Sequence, residues 1–73
     1  MNGWEKYEFR IVRRPDGAEE WKYFIQYYKR GKWRTVVYHH IHGGVFDLDF
    51  DSEGAARERI KAMIRLPVEE VIE

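Results

Sequence analysis

The chain has 73 residues, of which 44% are hydrophobic, 16% aromatic and 36% charged, and its thirteen basic and thirteen acidic side chains cancel. This length allows one small domain, and twelve aromatic residues exclude a disordered chain, because disordered chains are poor in aromatic residues. The lack of cysteine excludes a disulfide framework, a thiolate metal site and a cysteine nucleophile.

The N-terminal part predicts two antiparallel strands. Aromatic and aliphatic residues alternate over about residues 4–13 and again over 20–28, which is the period of a half-buried strand. Residues 15–17 (Pro-Asp-Gly) favour a turn, because proline presets φ and glycine accepts a positive φ. A loop of these three residues would pair Ile11 with Trp21.

The middle of the chain predicts two more strands. Gly31 can form a tight two-residue turn with Arg30, after which a third strand is expected over 33–38. In that register Ile25 would pair with Val36, and Tyr23 would pair with Tyr38. Residues 39–44 are expected to form a loop or a broken strand, and alternation over 45–50 predicts a short fourth strand.

The last predicted element is an amphipathic helix over about residues 52–66. Asp51 or Ser52 can cap it by accepting hydrogen bonds from the free N–H groups of its first turn, and Pro67 is expected to end it near Leu66. Its apolar stripe consists of Ala55, Ala56, Ile60, Met63 and Ile64.

These elements predict an α+β fold over residues 1–73, a three- to four-stranded antiparallel β-meander with one C-terminal helix packed on one face. A single helix covers one face of a sheet, and a one-residue slip in register would exchange the two faces. The covered face is expected to hold Tyr7, Phe9, Ile11, Trp21, Tyr23, Ile25, Val36 and Tyr38. The uncovered face is expected to hold Arg10, Lys22, Phe24, Gln26, Tyr28, Trp33, Thr35 and Val37.

The uncovered face carries the functional hypothesis. Residues 21–46 contain five basic side chains and no acidic one, interleaved with aromatic residues. Cations suit phosphate oxygens, and flat rings suit stacking on bases. We therefore expect a non-catalytic binding module that engages nucleic acid, in particular duplex DNA, through the basic aromatic hairpin 20–38. The candidate nucleic-acid contacts are Lys22, Gln26, Lys29, Arg30, Lys32, Trp33, Arg34 and Thr35.

Two alternatives remain open for the same face. It could be an interface with a protein partner or with a second copy of the chain, anchored by Phe24, Tyr28, Trp33 and Val37. Phe24, Trp33 and Val37 could instead form a minor core under the C-terminal tail or the fourth strand. Residues 47–73 carry four basic and eight acidic side chains, so the acidic end could neutralise the basic middle within the molecule.

Metal binding and catalysis are not favoured by the sequence. In an extended segment His40 and His42 share one face and His39 does not, whereas a zinc site needs three or four ligands. A calcium-loop pattern is incomplete, because Ser52 stands where that loop requires glycine. Its candidate ligands would be Asp47, Asp49, Asp51 and Glu58. We expect no enzyme activity, no cofactor and no metal.

The sequence also bears on location. No apolar run approaches the roughly 20 residues of a membrane helix, and the N-terminal residues lack the apolar segment of a secretory signal. A chain without cysteine suits a reducing compartment. We therefore expect a cytoplasmic protein without a membrane partner.

Three segments carry a resemblance to a known family. They are residues 21–23 (Trp-Lys-Tyr), residues 27–34 across the second hairpin, and residues 50–52 (Phe-Asp-Ser) before Ala56. Over about residues 20–65 the chain resembles the arm-type N-terminal DNA-binding domain of phage-type tyrosine integrases. The resemblance implies a three-stranded sheet backed by one helix, with the opposite face entering a DNA major groove. It assigns that role to Lys22, Gln26, Lys29, Arg30, Lys32, Arg34 and Thr35. The chain is also similar to small accessory proteins of phages and mobile elements, which often bind host proteins.

Overall fold

The computed structural model describes residues 3–65. The elements in chain order are a 3-10 helix η1 (Trp4–Lys6), β1 (Phe9–Asp16), β2 (Glu20–Lys29), β3 (Lys32–Thr35), β4 (Val37–His39), β5 (Val45–Asp47), β6 (Asp49–Phe50) and a helix α1 (Glu53–Arg65). All strand pairs are antiparallel. The predicted α+β class is confirmed, with a β1-β2-β3 meander followed by one C-terminal helix.

The strand predicted over residues 4–13 is wrong at its N-terminal end. Trp4–Lys6 forms a 3-10 turn in which the Tyr7 N–H donates to the Trp4 carbonyl at 3.1 Å, and β1 begins only at Phe9. Alternation in a continuous strand would have placed Trp4 on the face opposite to Tyr27. In the 3-10 turn the two rings instead lie perpendicular to each other, with centroids 5.2 Å apart.

The first hairpin differs from the prediction in register. Ile11 pairs with Ile25 rather than with Trp21, and the turn lies at 17–19. Pro15 lies within β1, because β1 is an edge strand and no neighbour on its outer side needs an N–H group from proline. The partner of Ile11 moves by four positions, and an even shift leaves every side chain on its predicted face.

The second hairpin has the predicted two-residue turn. Arg30 and Gly31 have φ angles of 51° and 81°, and the favoured turn of a two-residue hairpin needs a positive φ at both central residues. The Val36 N–H donates to the Ile25 carbonyl at 2.9 Å, which confirms the predicted pairing of these two residues.

Beyond Val36 the third strand leaves β2. β4 pairs with β5, and β6 occupies the vacated edge of β2, where Phe50 lies opposite Tyr23. The predicted pairing of Tyr23 with Tyr38 is therefore wrong, and Tyr38 lies exposed in the β4–β5 ribbon. The separation occurs where Val36 and Leu48 both pack into the core and the Leu48 N–H donates to the Val36 carbonyl at 3.0 Å.

The core lies between the sheet and α1, on the predicted face. Ile25, Val36 and Ala56 are buried. Around them pack the half-buried side chains of Trp4, Phe9, Ile11, Tyr23, Tyr27, Leu48, Phe50, Ile60 and Met63. Trp21 was expected to be covered on this face, but it lies near the turn of the first hairpin, is 42% exposed and does not pack against the core cluster.

The N-terminus of α1 is capped by Ser52. Its Oγ accepts a hydrogen bond from the Ala55 N–H at 3.1 Å, so the serine was the correct choice between the two predicted caps. Ile64, predicted in the apolar stripe, is 38% exposed. The predicted helix end at residues 66 and 67 lies outside the described residues. No helix within residues 3–65 is long and apolar enough to cross a membrane.

Candidate nucleic-acid interface

The face of the sheet opposite α1, called here the outer face, carries a continuous row of hydrogen-bonded side chains. Arg10 Nε donates to Gln26 Oε1 at 2.7 Å, and Gln26 Nε2 donates to Thr35 Oγ1 at 3.2 Å. Arg14 Nη2 donates to the same hydroxyl at 3.3 Å, and its Nη1 donates to Asp47 Oδ2 at 3.0 Å. The row thus links β1, β2, β3 and β5, and it holds both arginines in place.

Three arginines of β1 lie over aromatic rings. The pairs, with distances from the guanidinium carbon to the ring centroid, are Arg10 with Trp33 at 4.2 Å, Arg13 with Trp21 at 4.2 Å and Arg14 with Phe24 at 4.3 Å. Cations at such distances are attracted by the negative ring face. Phe24 and Trp33 are therefore covered by arginines of their own sheet, and neither packs against the core beneath α1.

The eight predicted contact residues do not share one face. Those on the outer face are Lys22, Gln26, Trp33 and Thr35. Lys29 pairs with Lys32, and Arg34 pairs with Tyr27, so strand alternation places these three cations on the side of α1. Arg30 lies in the turn between them. The expectation that the rings and cations of the hairpin share one face is wrong, because neighbouring residues in a strand point to opposite sides.

Two cations of the outer face are neutralised within the molecule. Lys22 pairs with Asp51, and Arg14 pairs with Asp47. The hydrogen bond between Lys22 and Asp51, and then the attraction of their charges, raises the pKa of Lys22 and lowers the pKa of Asp51. Acidic residues of the C-terminal part of the chain therefore neutralise these two cations within the molecule, as one of the sequence-based alternatives proposed.

The end of the β2–β3 hairpin is different. We call Lys29, Arg30, Lys32 and Arg34 the hairpin end. Within residues 3–65 none of these four side chains makes an ion pair, whereas Arg14, Lys22, Arg57 and Lys61 do. Residues 3–65 carry thirteen basic and ten acidic side chains, a formal charge of +3. The hairpin end is thus a concentration of cations within a described part of the chain whose formal charge is positive.

A cleft of about 340 Å³ lies beside the hairpin end. This aromatic cleft is lined by Gly3, Trp4, Lys6, Tyr7, Tyr27 and Lys29. The rings of Tyr7 and Tyr27 lie 5.3 Å apart between centroids, and Lys6 Nζ lies 5.3 Å from the Tyr7 centroid. No sequence pattern indicates this cleft, because it exists only when Trp4–Lys6 forms a 3-10 turn instead of a strand.

The β4–β5 ribbon presents histidines and apolar side chains to solvent. His40 Nδ1 accepts a hydrogen bond from the His42 N–H at 3.1 Å, and the two imidazole centroids lie 5.5 Å apart. In the described part of the chain, no group of three or more histidine, aspartate or glutamate side chains is placed to hold a metal ion. The exposed apolar residues of the ribbon and its turn are Val37, Tyr38, Ile41, Val45 and Phe46.

Comparison of the chain with protein-family models, with curated proteins and with solved structures found no match. The resemblance to integrase arm domains and to phage accessory proteins therefore stays a prediction from sequence patterns.

Proposed function

We propose that this chain is a non-catalytic binding module that engages duplex DNA through the β2–β3 hairpin. The observation that carries the proposal is the hairpin end, where four cations occur within residues 29–34 and form no ion pair with residues 3–65. Basic side chains that neutralise phosphates release condensed counterions, and this release supplies much of the free energy of DNA binding.

The distribution of these cations over both sides of the hairpin suits a groove. The DNA major groove is about 12 Å wide, admits a two-stranded β-ribbon and has a phosphate backbone along each wall. Lys29 and Lys32 lie on the side of α1, Arg10 lies on the outer face, and Arg30 lies at the turn. An inserted hairpin would therefore present cations to both walls of the groove.

Arg10 is the residue of the outer face best suited to contact a base. Gln26 and Trp33 hold its guanidinium in place, so less conformational entropy is lost when it binds. Its Nη groups make no hydrogen bond to residues 3–65, and paired N–H donors of this kind recognise guanine in the major groove. Two of the candidate nucleic-acid contacts, Gln26 and Trp33, then act by positioning Arg10.

The test is a fluorescence-anisotropy titration of a short labelled duplex at two salt concentrations. Four phosphate contacts predict a slope of log K against log salt near −3.6, or about a 150-fold loss of affinity from about 50 to 200 mM salt. The double variant Arg30→Ala, Arg34→Ala should make this slope less negative by about 1.8. No binding at low salt with micromolar protein would contradict the proposal.

The chain offers a matched control for that variant. Arg57 and Lys61 lie on α1 and form ion pairs with Glu53 and Glu58. The double variant Arg57→Ala, Lys61→Ala removes the same charge from the protein but leaves the hairpin end intact. Its salt slope should equal that of the unmodified protein, and an equal effect of the two double variants would mean that only net charge attracts the DNA.

A protein partner or a second copy of the chain is the other candidate, favoured by the exposed apolar residues of the β4–β5 ribbon. Of the predicted anchors, Phe24 and Trp33 are covered by arginines, whereas Tyr28 and Val37 are exposed. Sedimentation equilibrium over a range of concentrations tests self-association. A dimer weakened by Ile41→Ser, at a residue that is 89% exposed, would support it, and a monomer at every concentration would contradict it.

A further inference from the structure

We infer that the aromatic cleft binds a nucleoside monophosphate, either free in solution or as the 5′-phosphorylated end of a nucleic-acid strand. The cleft lies between η1 and the last residues of β2. It combines a wall of three aromatic rings with the side chains of two lysines. The site is separate from the proposed groove contacts of Arg10, Arg30 and Arg34, although Lys29 borders both.

The aromatic wall suits a flat ligand. Trp4, Tyr7 and Tyr27 form a connected group with centroid separations of 5.2 to 5.9 Å. Every nucleobase has a π face that stacks on such rings whatever its sequence, and this stacking is a common means of holding single nucleotides. The three rings of the aromatic wall are therefore the part of the cleft that would hold the base of the nucleotide.

The charge of the lining excludes the usual ligand of an aromatic cage. Inclined rings recognise quaternary ammonium groups by cation–π attraction. Here Lys6 Nζ already lies over the Tyr7 ring at 5.3 Å, Lys29 lines the same cleft, and within residues 3–65 no carboxylate is among the lining residues. A cationic ligand would be repelled, so the complementary ligand is an anion with a flat apolar part.

Size and charge narrow the anion to a phosphate monoester. Ligand sites have volumes of roughly 300–1,000 Å³, so a cleft of about 340 Å³ suits one nucleotide rather than several. A phosphate monoester carries about two negative charges at neutral pH, which two lysines can neutralise. A phosphodiester inside a strand carries only one negative charge, so a strand end should be preferred over a strand interior.

Isothermal titration calorimetry with AMP tests the site on the intact chain. We expect AMP to bind at least about tenfold more tightly than adenosine, because hydrogen bonds to charged groups are stronger than neutral ones. Lys6→Gln and Lys29→Gln should each weaken AMP binding about tenfold. Lys61→Gln is the control, since Lys61 lies on α1, forms an ion pair with Glu58 and does not line the cleft, and it should leave AMP affinity unchanged.

Two further measurements separate the contributions and the sources of the ligand. Tyr7→Leu should weaken both AMP and adenosine about tenfold, because it removes a stacking surface without removing charge. If a 5′-phosphorylated oligonucleotide binds more tightly than AMP, the ligand is the end of a strand. If the oligonucleotide binds no more tightly than AMP and is displaced by saturating AMP, the ligand is the free nucleotide. Any one of three results would overturn the inference. They are equal affinities for adenosine and AMP, an unchanged affinity of Lys6→Gln for AMP, and no heat of binding with AMP at millimolar concentration.

The AMP-binding inference and the duplex-DNA proposal can be tested independently of each other. Lys6→Gln should weaken AMP binding and leave the salt slope for duplex DNA unchanged, because Lys6 lies outside the hairpin end. Arg30→Ala, Arg34→Ala should change the duplex slope and leave AMP binding unchanged. Either proposal can therefore fail while the other holds.

Discussion

Replacing Val36 with alanine should cost far more stability than the same replacement at Val37. The two valines are neighbours in extended backbone, but their side chains point to opposite faces of the sheet. Val36 is 8% exposed and packs with Ile25 and Ala56, whereas Val37 is 43% exposed. The comparison therefore measures directly which face of the sheet α1 covers.

The expected difference can be worked out from burial. Each substitution removes two methyl groups, worth about 1.5 kcal/mol of transfer free energy at Val36 and about 0.9 kcal/mol at the half-exposed Val37. At Val36 a residual cavity of about 40 Å³ adds about 1 kcal/mol, and no cavity forms at a solvated position. The loss of β propensity is similar at both sites and cancels. The free energy of unfolding should thus differ by about 1.5 kcal/mol, or about 6–12 °C in Tm.

Urea denaturation followed by tryptophan fluorescence and by far-ultraviolet circular dichroism measures both variants. Coincident transitions from the two signals establish that each variant unfolds in one step. A domain of this size is expected to have about 4–11 kcal/mol of stability, so both variants should remain folded at low urea. Equal losses, or a larger loss for Val37→Ala, would refute the assignment of the faces.

Three further predictions concern local structure and pH. Ser52→Ala should lower the free energy of unfolding by about 1 kcal/mol in the same urea assay, because it removes the helix cap, while Ser52→Asp should retain most of the stability. Gly31→Ala should cost about 1–2 kcal/mol because φ is 81° there, and Arg30→Asn should stabilise the turn, as thermal unfolding would show. Because the pKa of Asp51 is lowered, the stability that this group contributes is present above its ordinary pKa of 3.8 and is lost as pH falls through the lowered value. The urea midpoint of Asp51→Asn should therefore fall less on acidification than that of the unmodified protein, and an identical fall would contradict the ion pair with Lys22.

The two faces of the sheet could be predicted from alternation alone, even where the predicted register was wrong. Ile11 pairs with Ile25 instead of Trp21, yet it still packs under α1, because the displacement is an even number of residues. The turn at Gly31 was predictable for a related reason, and the helix cap could be limited to Asp51 or Ser52. Both depend on the backbone within three residues of the side chain concerned.

Each of the third and fourth predicted strands is split into two shorter strands with different partners, and alternation alone could not predict this split. Residues 37–39 and 49–50 are both extended, and either segment could extend the pairing along the edge of β2 beyond Ile25. Local propensity does not separate them. Phe50 takes the position opposite Tyr23 because it packs into the core there, whereas Tyr38 remains exposed with the ribbon.

The candidate site shows the same limit. Composition indicated a basic, ring-rich hairpin, but it could not show that Asp47 would neutralise Arg14 or that Arg10 would lie on Trp33. These contacts join residues more than twenty positions apart, and they depend on a register that was predicted incorrectly. The aromatic cleft could not be predicted either, because it forms only when Trp4–Lys6 adopts a 3-10 turn in place of the predicted strand.

The amino-acid order by itself determined where most strands and the helix lie, which face of each strand of the meander packs under the helix, which residues form the tight turn, and the two candidates for the helix cap. These properties are set by interactions between residues close together in the chain, so a local pattern is enough to read them. Tertiary structure decided which cations stay without an acidic partner in residues 3–65, which strand completes the edge of β2, and that a cleft forms beside η1. Those outcomes depend on competition between distant segments for the same neighbours, and only the packed molecule resolves that competition.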